Sequence, residues 1–306
     1  MANRDENKPT VTNDRPKQRS MRKRYNSHIV YRPDSNMRRP LKLFMTMWRD
    51  LLGSRELAWQ LTKRDISAQY RQSFLGIAWA VIPPIVAAAG FTFATNSYVL
   101  NIGETDLPYP AYVMFSTALW QTFTESVTLP MQKVVQAKTM LTKISFPREA
   151  LILSAVGQVL FNFAWKLILI VGMFLWFRMP TSASVLLAPV ALVHLIVFGT
   201  AIGTFLAPMG ALYSDFAKGI PLIMSALMFF TPVVYPIPSS EGAFGLVVNL
   251  NPITPLLVTI RELATTGIVS DVSGFWSSSI LAFCGILVAW LVYKLSMPYT
   301  IERMSS

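Results

Sequence analysis

The sequence predicts an all-α membrane protein with six transmembrane helices. Of its 306 residues, 53% are hydrophobic and only 14% are charged, a composition too apolar for an ordinary soluble domain. Residues 1–73 carry 17 of the 27 Lys and Arg but only 7 of the 16 Asp and Glu. Because cytoplasmic segments of membrane proteins hold the excess of basic residues, this distribution predicts a cytoplasmic N-terminus, with the membrane domain at 74–300.

Residues 1–50 are predicted to form a basic, mostly disordered cytoplasmic tail, because they are rich in Arg, Lys, Asn, Asp and Pro. Nothing in this stretch resembles the apolar core of a signal peptide, so the first span is expected to direct membrane insertion. A net charge of +11 is compatible with a protein that binds nucleic acid. Because the basic residues are concentrated beside apolar spans, anionic lipid headgroups are the favoured binding partners, and no nucleic-acid partner is expected.

Residues 51–73 are predicted to form an amphipathic helix at the interface between membrane and cytosol. At about 100° per residue, apolar side chains fall on two opposite faces of this helix. One face holds Trp59, Ile66 and Tyr70, and the other holds Leu57, Leu61 and Ala68. Two opposed apolar stripes favour a helix held between two partners, and a membrane-surface helix with imperfect amphipathicity is the alternative.

Six apolar segments follow, and the loops between them alternate in charge. The predicted spans are 74–99, 111–129, 150–177, 185–212, 220–235 and 274–297. The loop at 101–110 holds two acids and no Lys or Arg, whereas the loop at 130–149 is basic. This alternation predicts that both termini lie in the cytoplasm, with 301–306 as a short C-terminal tail.

The segment between the fifth and sixth spans, at 243–267, is apolar but interrupted by Asn249, Asn251, Pro252 and Pro255. Each uninterrupted half is too short to cross a hydrocarbon layer of about 30 Å. The sequence therefore predicts two short re-entrant helices on the outer side of the membrane. A seventh span is the alternative, but it would place the basic C-terminal residues outside.

The sequence contains no motif for covalent chemistry. It lacks a phosphate-binding G-x-x-x-x-G-K-[ST] loop, a G-x-G-x-x-G turn, an H-E-x-x-H pair and any Cys/His cluster with metal-ligand spacing. We expect no catalytic residue, metal or cofactor in this chain, and we expect Cys284 to be a packing residue. Glu125 and Lys166 are the charged residues well inside a span, and they are either functional candidates or partners in a Glu–Lys pair between packed helices.

Aromatic side chains are concentrated on the first, second and fifth spans. A row of them facing a pore would offer flat apolar surfaces to sugar rings, while interfacial belts and helix packing are the alternative interpretations. The candidates for a channel lining are Trp79, Phe91, Tyr112, Phe115, Trp120, Phe229, Phe230 and Tyr235.

The basic loop between the second and third spans is predicted to contain a helix at 131–146, bracketed by Pro130 and Pro147. A short basic helix that projects into the cytosol is suited to docking a soluble motor protein. The alternative is a solvated loop that is basic only because it is cytoplasmic. The candidate coupling residues are Lys133, Gln136, Lys138, Met140, Lys143, Pro147, Arg148 and Glu149.

The sequence resembles the permease subunits of type-2 ABC exporters that move lipid-linked polysaccharides, such as O-antigen, teichoic acid and capsule. The match is closer to the O-antigen and teichoic acid permeases than to the capsule branch. The stretches that carry the resemblance are RDISAQYRQSFLGIAWAVIPP (64–84), LPYPAYVMFSTALWQTF (107–123), KTMLTKISFPRE (138–149) and LNPITPLLVTIRE (250–262).

The resemblance implies a homodimer in the bacterial inner membrane that assembles with two ATPase subunits, which would bind the ATP and Mg²⁺. It implies that 54–72 lies at the membrane–cytosol boundary, that 131–146 docks in the ATPase and that the first and fifth spans line the channel. Basic side chains at the cytoplasmic interface would meet the diphosphate of an undecaprenyl-linked glycan. The candidates for this interface are Arg64, Asp65, Tyr70 and Arg71, and Lys143 and Arg148 are candidates for either partner.

Three other functions stay open at this point. A related ABC permease for drugs or simple lipids would not need a continuous aromatic channel. A membrane glycosyltransferase or polymerase would be expected to carry catalytic carboxylates or large outer loops, for which Glu125 alone is poor support. A stand-alone secondary transporter driven by protons would need a richer acidic relay than one intramembrane glutamate.

Overall fold

The computed structural model describes the backbone of residues 40–71, 74–100, 102–103, 105–144, 146–238 and 242–305. Within these ranges the chain forms eleven α-helices and three short 3-10 helices, and no strand, which confirms the all-α prediction. Most of the predicted tail, 1–39, and the side chain of Tyr70 lie outside the described part. The described residues up to Trp48 belong to one compact unit and Arg49–Ser306 form another.

The helices are α1 (Pro40–Gly53), α2 (Arg55–Arg71), α3 (Ile82–Asn96), α4 (Tyr109–Gln136), α5 (Lys138–Lys143), α6 (Glu149–Trp176), α7 (Ala188–Leu212), α8 (Ser214–Leu227), α9 (Ala243–Leu250), α10 (Ile253–Ala264) and α11 (Val272–Ser305). The 3-10 helices are Gly76–Ala80, Ala183–Leu187 and Met228–Phe230. The predicted interface segment 51–73 thus divides between the end of α1 and all of α2.

Three stretches in the described part are long and apolar enough to cross a membrane. They are Glu149–Trp176, Ala183–Leu212 and Val272–Met304, and they match the predicted third, fourth and sixth spans. The pair α9 and α10 is bent by 75° and qualifies as a fourth candidate, either as a broken span or as a re-entrant loop. The described residues therefore contain three or four candidate spans, and the count of six stays a prediction.

The predicted first span is not one continuous helix. The 3-10 helix Gly76–Ala80 precedes α3, and Pro83 and Pro84 lie in the first turn of α3. Within one continuous span these prolines would be expected to kink the helix, but here the helix begins directly before them. Proline is tolerated in the first turn because its missing N–H has no intrahelical partner there.

The predicted coupling helix at 131–146 is also not a single helix. Helix α4 continues through Pro130 to Gln136, and after a break at Ala137 only Lys138–Lys143 forms a separate helix, α5. Pro130 was expected to end a helix, since an interior proline removes one backbone hydrogen bond. Here it is buried inside α4 and packs close to Gly203 of α7, so tertiary packing outweighs the local cost.

Helix α7 is the centre of the fold and packs most extensively on α4 and α11. Its approach to α4 depends on two glycines. A Cβ atom built on Gly199 would lie 2.6 Å from Cβ of Ser126, and one on Gly203 would lie 2.3 Å from the carbonyl oxygen of Val127. Small residues let helix backbones approach this closely inside a membrane, where dispersion contacts replace the hydrophobic effect as the driving force.

Buried apolar side chains form two clusters. The larger one joins α4, α6, α7 and α10, and the smaller one joins α2, the end of α4, α5, the start of α6, the end of α7 and the second half of α11. The smaller cluster lies on the side that the loop charges assign to the cytoplasm. It carries the site described next.

Candidate functional site

Helix α2 packs on α6 through one face. Ala58, Leu61 and Thr62 are buried, and Thr62 Oγ1 lies 3.4 Å from Ser154 Oγ on α6. On the predicted apolar faces, Leu61 points inward, whereas Trp59 is 63% exposed. Within the described chain α6 is therefore one partner of this helix, and the side that carries Trp59 faces outward.

An ion pair fastens α2 to the end of α4. Lys133 Nζ lies 2.5 Å from Asp65 Oδ2, and Arg64 Nη2 lies 2.8 Å from Asp65 Oδ1. Lys133 is only 5% exposed, although the sequence placed it among the candidate coupling residues. It lies beyond the apolar part of α4, where burial lowers its pKa while the Asp65 carboxylate acts against that shift. Lys133 thus serves as an internal partner for Asp65.

A second ionic cluster joins three helices. Lys294 Nζ of α11 lies 2.6 Å from Asp50 Oδ2 of α1 and 2.6 Å from Glu149 Oε1. Glu149 is the first residue of α6, where a carboxylate also interacts favourably with the helix dipole. Glu149, another candidate coupling residue, is therefore buried inside the chain and paired.

The remaining candidate coupling residues lie nearer the surface. Gln136, Lys138, Lys143 and Pro147 are exposed, and Met140 and Arg148 are half-buried. Leu141 anchors α5, because it is buried in the smaller cluster with Tyr293 and Met297 of α11. Helix α5 consequently presents an exposed basic side to the predicted cytoplasm.

The hydroxyl of Tyr293 donates a hydrogen bond of 3.1 Å to the carbonyl oxygen of Arg148 at the start of α6. Tyr293 is 1% exposed, so Tyr293→Phe should lower the free energy of unfolding by about 1 kcal/mol. Thermal unfolding of the purified protein in detergent measures this effect. Tyr299→Phe on the same helix is the matched control, because Tyr299 is exposed, and an equal loss in both variants would contradict the assigned hydrogen bond.

The candidate channel aromatics divide into two groups. Tyr112, Phe115 and Trp120 are buried in the larger cluster of this chain. Exposed or half-buried positions are held by Trp79, Phe91, Phe229, Phe230 and Tyr235. In this conformation only the second group has side-chain surface to offer to a channel.

Arg261 of α10 connects several helices at the end of the fold that lies opposite to the ionic clusters. Its guanidinium carbon lies 4.2 Å from the ring centre of Tyr112, and its Nη1 lies 3.0 Å from Ser116 Oγ. Tyr112 in turn donates a 2.7 Å hydrogen bond to the carbonyl oxygen of Tyr235. Arg261 borders a cavity of about 250 Å³ together with Asp106 and Glu262. Sequence reasoning missed Arg261, although an arginine in an apolar, interrupted segment is a signal that could have found it.

Glu125 and Lys166 form an ion pair between α4 and α6. Lys166 Nζ lies 2.7 Å from Glu125 Oε1, and Asn162 Nδ2 donates a 3.0 Å hydrogen bond to Glu125 Oε2. The pairing alternative of the sequence analysis is therefore confirmed. Cys284, in contrast, is exposed on α11, so the expectation of a buried packing residue is wrong for the chain by itself.

The chain matches the family model described as ABC-2 type transporter over residues 56–264. This match covers more than half of the chain, and the protein belongs to the ABC-2 type transporter family. It is a multi-pass membrane protein with the helical architecture described above.

Two proteins with similar sequences are named as export permeases, which is consistent with this family. The chain is 29% identical over 223 residues to O-antigen export system permease protein RfbA of Myxococcus xanthus. The aligned region covers 70% of this chain and 82% of the relative. It is 21% identical over 230 residues to O-antigen export system permease protein RfbA of Klebsiella pneumoniae, with 74% and 86% covered.

Proposed function

We propose that this chain is the membrane-spanning subunit of an ATP-driven exporter that carries O-antigen, linked to undecaprenyl diphosphate, across the bacterial inner membrane. The observation that supports it most is the similarity to O-antigen export permeases over about 70% of the chain, at 29% identity in the Myxococcus xanthus protein. The proposed assembly contains two copies of this chain and two separate ATPase subunits, which bind ATP and Mg²⁺. This chain itself performs no covalent chemistry.

The proposed topology has six spans with both termini in the cytoplasm. The charge of the loops supports it, because the basic α5 and the ionic clusters then lie on the same side as the basic tail. The bent pair α9 and α10 would lie on the outer side as two re-entrant helices, since each is too short to span the membrane.

In the proposed mechanism, closure of the ATPase dimer pushes on α5. Leu141 transmits this movement to the smaller cluster, which joins α5 to α11 and to the packed α2 and α6. The exposed basic side of α5 supports a docking role, because Lys138 and Lys143 are accessible to an acidic partner surface. Cargo enters at α2, where exposed Arg71 is a cation without an ion pair among the described residues and is suited to the diphosphate.

The first experiment is a pull-down of the tagged, detergent-solubilised chain from its native cells, with mass spectrometry of proteins and lipids. We expect a stoichiometric ATPase with a phosphate-binding loop, together with a lipid-linked glycan. A clean preparation that contains no ATPase at any detergent strength would overturn the proposal in favour of a self-sufficient transporter or an enzyme.

Charge reversal on α5 tests the coupling step. The double variant Lys138→Glu, Lys143→Glu should reduce export about tenfold or more, because like charges then face the partner surface. ATP hydrolysis by the assembled complex should continue, so hydrolysis and export become uncoupled. Export is measured as surface glycan, and hydrolysis is measured in membrane vesicles.

Lys218→Glu provides the control for this charge change. Lys218 is exposed on α8, within the loop region predicted to be cytoplasmic, and its reversal should leave export close to the unmodified level. Normal export in the α5 double variant, at equal amounts of protein in the membrane, would remove the support for a coupling role of α5.

A further inference from the structure

Helix α4 is buried on most of its circumference and retains one partly exposed stripe. In its second half the polar positions of this stripe are Gln121, Thr124, Glu125, Gln132 and Gln136, and the apolar positions are Leu129 and Val135. These residues recur at spacings of three and four, so they share one helix face. From Gln121 to Gln136 the stripe is about 22 Å long at 1.5 Å per residue. We refer to it as the polar stripe of α4.

The polar stripe does not suit contact with lipid. Within the predicted second span, the amide of Gln121 and the carboxylate of Glu125 are partly exposed, and such groups are costly when they face hydrocarbon. The outward surface of the neighbouring α6 shows what a lipid-facing helix looks like, because Leu167, Ile168 and Val171 are exposed on it. The contrast between the two adjacent helices indicates that the stripe borders a hydrated space.

Glu125 lies near the centre of the stripe, and its surroundings hold it in place. One carboxylate oxygen is bound by Lys166 and the other by Asn162, both from α6. Lys166 is fully buried while Glu125 is 25% exposed. The arrangement neutralises the charge from the protein side and presents a fixed hydrogen-bond acceptor to the open side.

Hydrogen-bonding capacity remains unused next to this centre. Among the described residues, Thr124 Oγ1 and Gln158 Oε1 are buried and have no hydrogen-bond partner. Gln158 is one turn from Asn162 on α6, and its amide donates a 2.6 Å hydrogen bond to Gln69 of α2. The polar surface thus continues from the central ion pair toward α2, where cargo is proposed to enter.

We propose that the polar stripe of α4, centred on Glu125, is a wall of the transport path that contacts the hydroxyl groups of the saccharide cargo. This inference rests on the proposed export function. Amides and a neutralised carboxylate exchange hydrogen bonds with water and with sugar hydroxyls at little net gain. A polymer can therefore slide along the stripe without being trapped at any one position. The stripe supplies polar contacts that the aromatic candidates do not.

Cysteine labelling of the assembled complex tests this proposal. Gln121→Cys, which lies within the predicted second span, is introduced into a Cys284→Ala background and treated in membranes with a membrane-impermeant maleimide. We expect Gln121→Cys to react about a hundredfold faster than Ile168→Cys, because the reactive thiolate forms in water but not in hydrocarbon. Ile168 is a control of similar depth, since it follows Lys166, which contacts Thr122 of α4. Val127→Cys, on the buried side of α4, should also stay unlabelled.

Contact with saccharide is tested by comparing membranes from cells that make the glycan with membranes from cells that do not. Labelling at Gln121→Cys should be slower when glycan is present. Equal rates would overturn the saccharide contact. Labelling no faster than at Ile168→Cys would overturn the hydrated wall, and a disulfide between two copies at Gln121→Cys would assign the stripe to the dimer interface instead. These results are independent of the pull-down, so this inference and the proposed function can fail separately.

Discussion

Replacing Gly203 by alanine is expected to lower the free energy of unfolding by about 3 kcal/mol, at the upper end of the range for overpacked cores. The added Cβ atom would lie 2.3 Å from the backbone carbonyl oxygen of Val127 and 3.0 Å from Cγ of Pro130. Neither atom belongs to a flexible side chain, so α4 and α7 must move apart. Because α7 packs on both α4 and α11, the displacement spreads through the centre of the fold.

Gly172→Ala on α6 is the matched control, because a Cβ atom there meets nothing within 4 Å. At such a helix position alanine is favoured over glycine, so we expect a gain of about 0.5–1 kcal/mol. The two variants make the same chemical change and have opposite expected signs. Thermal unfolding in detergent, together with the yield of monodisperse protein, measures both. Equal stability of Gly203→Ala and the unmodified protein would show that α4 and α7 do not approach as closely as described.

Replacing Lys166 by methionine is expected to destabilise the protein by about 3 kcal/mol, at the lower end of the range for breaking a buried ion pair. The change leaves the carboxylate of Glu125 without its cation between α4 and α6. The lower end applies because Glu125 is 25% exposed and water reduces the cost of its charge. Thermal unfolding in detergent at neutral pH measures the loss.

The double variant Glu125→Gln, Lys166→Met separates charge from packing. Removing both charges together should restore most of the stability that Lys166→Met loses, since no uncompensated carboxylate remains. Glu125→Gln completes a double-mutant cycle, which gives the coupling energy of the pair. Additive losses in this cycle would mean that the two side chains do not interact.

The features that sequence reasoning recovered are those set by composition over many residues. The run of apolar side chains between Ala150 and Phe177 and the run at 185–212 are long enough to specify spanning helices by themselves. The short halves around Pro252 likewise specify a bent pair, and the structure bends it by 75°. Such signals add up along the chain and do not depend on which distant residues come into contact.

The features that sequence reasoning missed depend on pairs of distant residues. Lys133 and Glu149 look like solvated charges in a basic loop, but Asp65 and Lys294 bind them inside the fold. Local rules also assigned Pro130 to a helix boundary, and packing on Gly203 holds it inside α4. For the candidate channel aromatics, spacing alone could not tell buried Trp120 from exposed Trp79. These distinctions require knowing which helices touch.

The position of Lys294 has a consequence for biogenesis. Asp50 is made early and Glu149 near the middle of the chain, yet the cation that binds both is on the last helix. During synthesis the two carboxylates remain without this cation until α11 has been inserted. A nascent chain interrupted before Lys294 would therefore keep two acidic groups unpaired near the smaller apolar cluster.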